Sequence, residues 1–216
     1  MRHIWIFLFT AALLSATPVS TVKLTSPGDP NNVILGNIYV SPYGMQINGQ
    51  TYAAMCIDYP DESYLNKPWQ AYVTPLSGGN FSNTYHGADS NAAQEYEEEA
   101  YLYGQMTTLS VTDPNYSTER TDIQEAAWVI TDPGYTPSDP NGAQSWLTLA
   151  QNNYGSVNLA NFEIVSDTNA GSGRNQEFII DTPEPDSLAL LATGFLFAGV
   201  GVFGKRFAKS RRVPKN

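Results

Sequence analysis

The chain has a single cysteine, Cys56, and only two histidines, His3 and His86. One thiol cannot close an internal disulfide, so no disulfide framework holds this fold. A cysteine-type zinc site and any catalytic arrangement built on several histidines are excluded too, and no metal or cofactor is expected. Positive charge is scarce as well: 11 Lys+Arg stand against 21 Asp+Glu in 216 residues. Most of those cations sit at the ends, as Arg2, Lys205, Arg206, Lys209, Arg211, Arg212 and Lys215. Between Thr21 and Thr182 only Lys23, Lys67, Arg120 and Arg174 remain against 19 acids, a formal charge of −15. Such a body repels phosphate, so no nucleic-acid partner is expected. The motifs G-x-S-x-G, H-E-x-x-H and D-x-[DN]-x-[DN]-G are missing, which leaves an extracellular hydrolase or a calcium loop without support. What is present suffices for one domain plus appendages: 42% of the residues are hydrophobic, enough for a core.

The two ends read as addresses. Residues 1–20 have the grammar of a secretory signal peptide: Arg2, an apolar run over 4–14, then the small residues Ser15, Ala16 and Thr17. The cleavage site falls after Ala16 or a few residues later. At the other end, residues 188–204 carry no charge. As a helix of 17 residues they would reach ~26 Å, close to the ~30 Å of a hydrocarbon core. The basic residues that follow would stay in the cytoplasm and leave the body outside. Pro183, Glu184 and Pro185 precede the span as an extended, exposed segment.

Pro183-Glu184-Pro185, the apolar span and the basic cluster together resemble a PEP-CTERM sorting signal over residues 183–216. The resemblance implies a Gram-negative cell-surface protein, exported through the inner membrane and held there through residues 188–204. It also implies an exosortase-type sorting enzyme as partner, which removes the tail near Pro-Glu-Pro. The tail runs on past Arg212 with Val213-Pro214-Lys215-Asn216, slightly beyond the usual basic stop.

The body, residues 21–182, reads as strands, then helices, then strands. Strands are expected over 33–35 and 38–40, and a hairpin over 44–52 turns on Asn48-Gly49. Further strands are expected on to Cys56, over 69–73, 161–165 and 176–180. A first helix follows Asn91, paired with Gln94 as a cap. Ala93, Tyr96, Ala100 and Tyr103 form its apolar stripe, and Glu95, Glu98 and Glu99 a solvated face. A second starts near Thr121, where Thr121-x-x-Gln124 has capping-box form, and a third covers about 143–153. This order predicts an α+β fold, a β-sandwich or barrel with a helical insertion, between the signal peptide and a C-terminal transmembrane helix.

Cys56 calls for an explanation in an exported chain. It is buried and inert, pairs with another molecule, or is committed to something other than sulfur. Met55-Cys56-Ile57-Asp58 ends a strand pattern, and Ile123-Gln124-Glu125-Ala126-Ala127-Trp128 lies on a helix. These two segments resemble the paired motifs of bacterial thioester domains, a Cys and a T-Q-x-A-x-W. Here Ile123 replaces the usual Thr and Ala127 an apolar β-branched residue. The resemblance implies an internal thioester between Cys56 and Gln124, formed with loss of ammonia. It further implies covalent attachment to an amine or hydroxyl of a surface ligand, an adhesin's single-use chemistry rather than enzymatic turnover. Gln124 and Trp128 are i, i+4 neighbours, so the indole can cover the amide carbon, and Tyr52 and Tyr59 stand close in sequence to help exclude water. Asp58 is a candidate proton carrier. His86 has a weaker claim as a base, its expected place being an exposed loop. Joining Cys56 to Gln124 closes a loop of about 69 residues, which the chain-entropy model values at roughly 4 kcal/mol. The rival reading is a non-reactive structural or carbohydrate-associated component of an exopolysaccharide or biofilm matrix. Its aromatic residues (13 Tyr and 4 Trp) would stack on sugars.

Overall fold

The computed structural model describes residues 18–28 and 33–182. The expected sorting signal, and the expected signal peptide apart from its last three residues, lie outside the described residues. Among the described residues no helix is long and apolar enough to cross a membrane.

Six strands close into an antiparallel barrel. β1 (Val19–Ser26), β4 (Tyr43–Ile47), β5 (Gln50–Cys56), β6 (Pro68–Pro75), β7 (Phe162–Asp167) and β8 (Phe178–Asp181) pair in the order β1-β4-β5-β8-β7-β6, with β6 returning to β1. β2 (Ile34–Leu35) and β3 (Ile38–Tyr39) form a separate small hairpin. Three helices, α1 (Ala92–Thr108), α2 (Tyr116–Thr131) and α3 (Pro140–Asn153), are inserted between β6 and β7. The α+β expectation therefore holds as a barrel with a helical insertion. The Asn48-Gly49 turn joins β4 to β5, with both residues at positive φ (49° and 90°). That geometry suits the right-handed twist of the flanking strands and is open to Asn and Gly at low cost.

Strand alternation sorts the core into two layers. Val22 and Leu24 (β1), Met45 (β4), Ala54 and Cys56 (β5), Ala71 (β6), Val165 (β7) and Phe178 (β8) belong to one cluster that fills the barrel. The opposite faces, with Met55, Ile164 and Ile179, pack against the inserted helices. Trp128 of α2 is the exception to this division, because it belongs to the barrel cluster. α2 therefore reaches the barrel interior as well as the helix layer.

Several local expectations are corrected. α2 starts at Tyr116, so Thr121 is mid-helix and donates to the Ser117 carbonyl at 2.9 Å instead of capping. Asn91 precedes α1, but its side chain donates to Glu95 at 2.7 Å and makes no cap bond. Ala93 is exposed, while Glu98 and Glu99 are buried, so the acidic run is not a solvated face. The reason lies in packing: α1 is covered on two sides, by the sheet and by α2 and α3. β1, on which barrel closure depends, was not expected from the sequence; its first two residues, Val19 and Ser20, fall within the range expected for the signal peptide.

Candidate functional site

Cys56 is the last residue of β5, opposite Phe178 of β8. Its inward position on the strand puts the thiol in the barrel interior, with no solvent exposure. Gln124 lies midway along α2 and is equally buried. The two meet: Gln124 Nε2 donates to the Cys56 main-chain carbonyl at 2.7 Å. The amide's other atom, Oε1, accepts from the Ser41 N–H at 3.2 Å. Ser41 Oγ accepts from the Cys56 N–H at 2.8 Å. One serine therefore registers both the strand that carries the sulfur and the side chain that carries the amide.

Ser41 is itself held by Arg120, one helical turn before Gln124. Arg120 Nε donates to the Ser41 carbonyl at 2.6 Å, and Nη2 donates to the Val40 carbonyl at 2.7 Å. Nη1 donates to the Tyr116 hydroxyl at 3.0 Å, and the guanidinium lies 5.3 Å from that ring's centre. Burial lowers the Arg120 pKa to about 10, which still leaves it charged at neutral pH. A buried cation fixed to two carbonyls is costly to desolvate but strongly directional. Neither Ser41 nor Arg120 was singled out from the sequence, where Ser41-Pro42 reads only as a strand boundary. The signal that was available is the i, i+4 spacing of a lone arginine and Gln124.

The thiol donates to the Asp58 main-chain carbonyl at 3.2 Å, not to its carboxylate. Burial pushes the Cys56 pKa up to about 12, with smaller contributions from the Asp58 and Glu99 charges. Trp128 acts in the other direction. Its indole N–H makes no bond within normal limits, yet it lies close enough to favour the thiolate. Tyr59 and Tyr135 cover the indole with ring centres 5.0 and 5.2 Å away. Tyr135 was missing from the sequence reading; Tyr52, which was included, is half-buried on the barrel cluster.

Asp58 is buried, and its pKa rises to about 7, through burial first and then the charge of Asp61. Asp61 pairs with Arg174, whose guanidinium stacks 3.7 Å from the centre of the Tyr85 ring. His86 is half-buried rather than exposed, 3.6 Å from Asp89, and its backbone N–H donates to the Tyr96 hydroxyl at 3.2 Å. No contact joins it to Cys56 or Gln124 among the described residues. Pro183, Glu184 and Pro185 lie outside the described residues.

Chemically, the arrangement holds a buried carboxamide bonded to the main-chain carbonyl of the residue that carries the thiol. A backbone N–H on its oxygen stabilises negative charge there if the carbon is attacked. Comparison with family models, curated proteins and solved structures gives no match.

Proposed function

We propose that this chain is an exported protein, sorted to the cell surface by an exosortase-type system, whose barrel forms an internal Cys56–Gln124 thioester. The single observation that carries the thioester is the Gln124 carboxamide, spanned between the Ser41 N–H and the Cys56 carbonyl with no solvent exposure. Sγ adds to Cδ while the Ser41 N–H stabilises the oxygen. The C–N bond breaks, and the amide nitrogen leaves as ammonia with the thiol proton. A thiol pKa of about 12 makes a free thiolate rare at neutral pH, so this proton moves with the attack. A partner amine then attacks Cδ, an amide forms, and the thiol returns. Trp128, Tyr59 and Tyr135 exclude water, which would otherwise hydrolyse the acyl group.

Intact mass of the full chain tests this against Cys56→Ser. The thioester form is lighter than its sequence by one ammonia, resists alkylation, and regains one thiol with methylamine. The full sequence mass together with a freely alkylated thiol in the denatured protein overturns it. The matrix-component reading is favoured by exposed tyrosines, Tyr39, Tyr59 and Tyr64, on one side of the barrel. It predicts the full mass and sugar binding alone.

A further inference from the structure

Two cavities of about 500 and 550 Å³ flank Tyr59. Asn37 and Ile38, from the turn of the β2–β3 hairpin and β3, line both. The first is walled by Tyr39, Tyr43, Tyr59 and Tyr64, of which Tyr39, Tyr59 and Tyr64 are exposed. The second reaches Trp128 and Tyr135. The Tyr59 ring, 4.4 Å from Tyr135 and 5.0 Å from Trp128, is the partition between them. The Tyr59, Tyr135 and Trp128 rings are in mutual contact and lead from solvent, at the exposed Tyr59, to the buried indole.

The charged residues of the lining are acids, although Lys67 Nζ lies over one face of the Tyr64 ring, 4.3 Å from its centre. Asp61, Glu62 and Glu125 line the two cavities, and no lysine or arginine does among the described residues. Arg174 answers Asp61, while Tyr135 and Ser138 donate to Glu125. Glu62 is exposed and accepts from the Tyr64 hydroxyl, next to an aromatic wall. Asn37, Ser63 and Gln176 add neutral hydrogen-bonding groups.

Resting on the thioester reading, we propose that this cleft selects the attacking amine, and that its ligand is a polysaccharide chain bearing unacetylated amino sugars. Three properties of the cleft converge on it. Tyrosine faces offer flat apolar area to the C–H faces of a pyranose ring. The neutral polar groups suit hydroxyls. The carboxylates, in a body of charge −15, favour a cation and repel anionic glycans. A polyamine or a lysine side chain supplies the charge but has no ring to lay on Tyr39 or Tyr64. The step balances: the sugar's free amine bonds to Gln124 Cδ, the Cδ–Sγ bond breaks, and Cys56 Sγ takes the amine's proton.

Calorimetric titration of full-length Cys56→Ser with glucosamine tetrasaccharide tests the cleft without any thioester. The expected result is binding that weakens about fivefold or more for the N-acetylated tetramer. Tyr64→Ala, at an exposed site, is expected to weaken it about tenfold, and Glu62→Gln to remove the preference for the free amine. No binding, binding indifferent to Tyr64→Ala and Glu62→Gln, or tighter binding of spermidine or a lysine peptide each overturns the proposal. Wild-type protein incubated with the tetramer is then weighed intact. Tetramer binding with no mass gain from either the tetramer or methylamine sinks the thioester and leaves the cleft standing; a methylamine adduct without tetramer binding does the reverse, and a methylamine adduct with tetramer bound but not added overturns the selection of the attacking amine.

Discussion

At the scale of single residues, Ser41 and Glu99 carry the sharpest consequences. Ser41 Oγ is the acceptor for the buried Cys56 N–H. Ser41→Ala leaves that donor without a partner in a dry site, at a cost of ~1–3 kcal/mol. A drop of that size in denaturant-unfolding stability is expected, and, on the proposed thioester, slower loss of ammonia from Gln124 in the same variant. An unchanged midpoint would show that water or a shifted backbone replaces the hydroxyl. Glu99 is wholly buried, and neither carboxylate oxygen has a hydrogen-bond partner. Burial first, and then the charges of Glu98 and Glu95, raise its pKa well above the ordinary value. Asp58 and Glu177 are raised for the same first reason. A carboxyl with a higher pKa folded than unfolded holds its proton more tightly in the native state. Stability is then greatest below the unfolded value, about 4, and falls as pH climbs to the folded one. For Asp58 that window closes at about 7. The protein is expected to melt at a higher temperature at pH 5 than at pH 8. Glu99→Gln should flatten that slope and raise Tm at pH 8 by ~2–4 °C per kcal/mol recovered. A melting profile that rises from pH 5 to pH 8 refutes the assignment.

At the scale of elements, the helices show which end signals are real. Asp139 accepts from the Asn141 and Gly142 N–H groups at 3.0 and 3.1 Å, with Pro140 at the first helical position. Asp139→Ala should cost ~1 kcal/mol, the usual value of a cap. Thr121→Ala should cost less than ~0.5 kcal/mol, because its hydroxyl bonds back within α2. Chemical denaturation of the pair checks this; equal losses would restore a capping role for Thr121. The contrast explains what was legible. The Asn48-Gly49 hairpin and the end of α2 at Thr131 are set by local chemistry, and local chemistry is what a sequence displays. The start of α2 has a local signal that the sequence reading passed over: Asp113 Oδ1 accepts from the Asn115 N–H at 2.8 Å and the Asp113 carbonyl from the Tyr116 N–H at 3.1 Å, while Arg120 adds bonds to Val40 and Ser41, some 80 positions away. Cys56 and Gln124 were legible as a pair because both sit in recognisable short segments. Ser41 and Arg120, which place them, act through bonds that involve main-chain groups distant in sequence, and leave no motif. The burial of Glu98 and Glu99 was hidden for a related reason: three charges in a row look solvated unless the layer covering them is known.

At the scale of the whole molecule, the barrel depends on its first strand. β1 pairs with β4 through Val22↔Ile47 and with β6 through Val22↔Trp69, so it is the stave that closes the ring. Without it β4 and β6 would both become edges, with rows of unpaired N–H and C=O groups. Pairing begins at Val19, against Tyr72. An export cut beyond Val19 would shorten the closing strand, whereas a cut after Ala16 leaves it whole. On the proposed export, the mature N-terminus is therefore expected between residues 17 and 19, and N-terminal sequencing of the protein recovered from the cell surface reads it directly. Removal of residues 19–26 should do more than lower stability: the single unfolding transition of the intact body should broaden, with exposed apolar surface detectable by dye binding. Val22 and Leu24 belong to the same cluster as Cys56 and Trp128, so the opened barrel admits water to the thiol. Loss of the strand should accordingly make Cys56 alkylate rapidly under native conditions. A truncated protein that melts in one sharp transition with a protected thiol would mean that the pocket around Cys56 is built by β5, β8 and α2 alone.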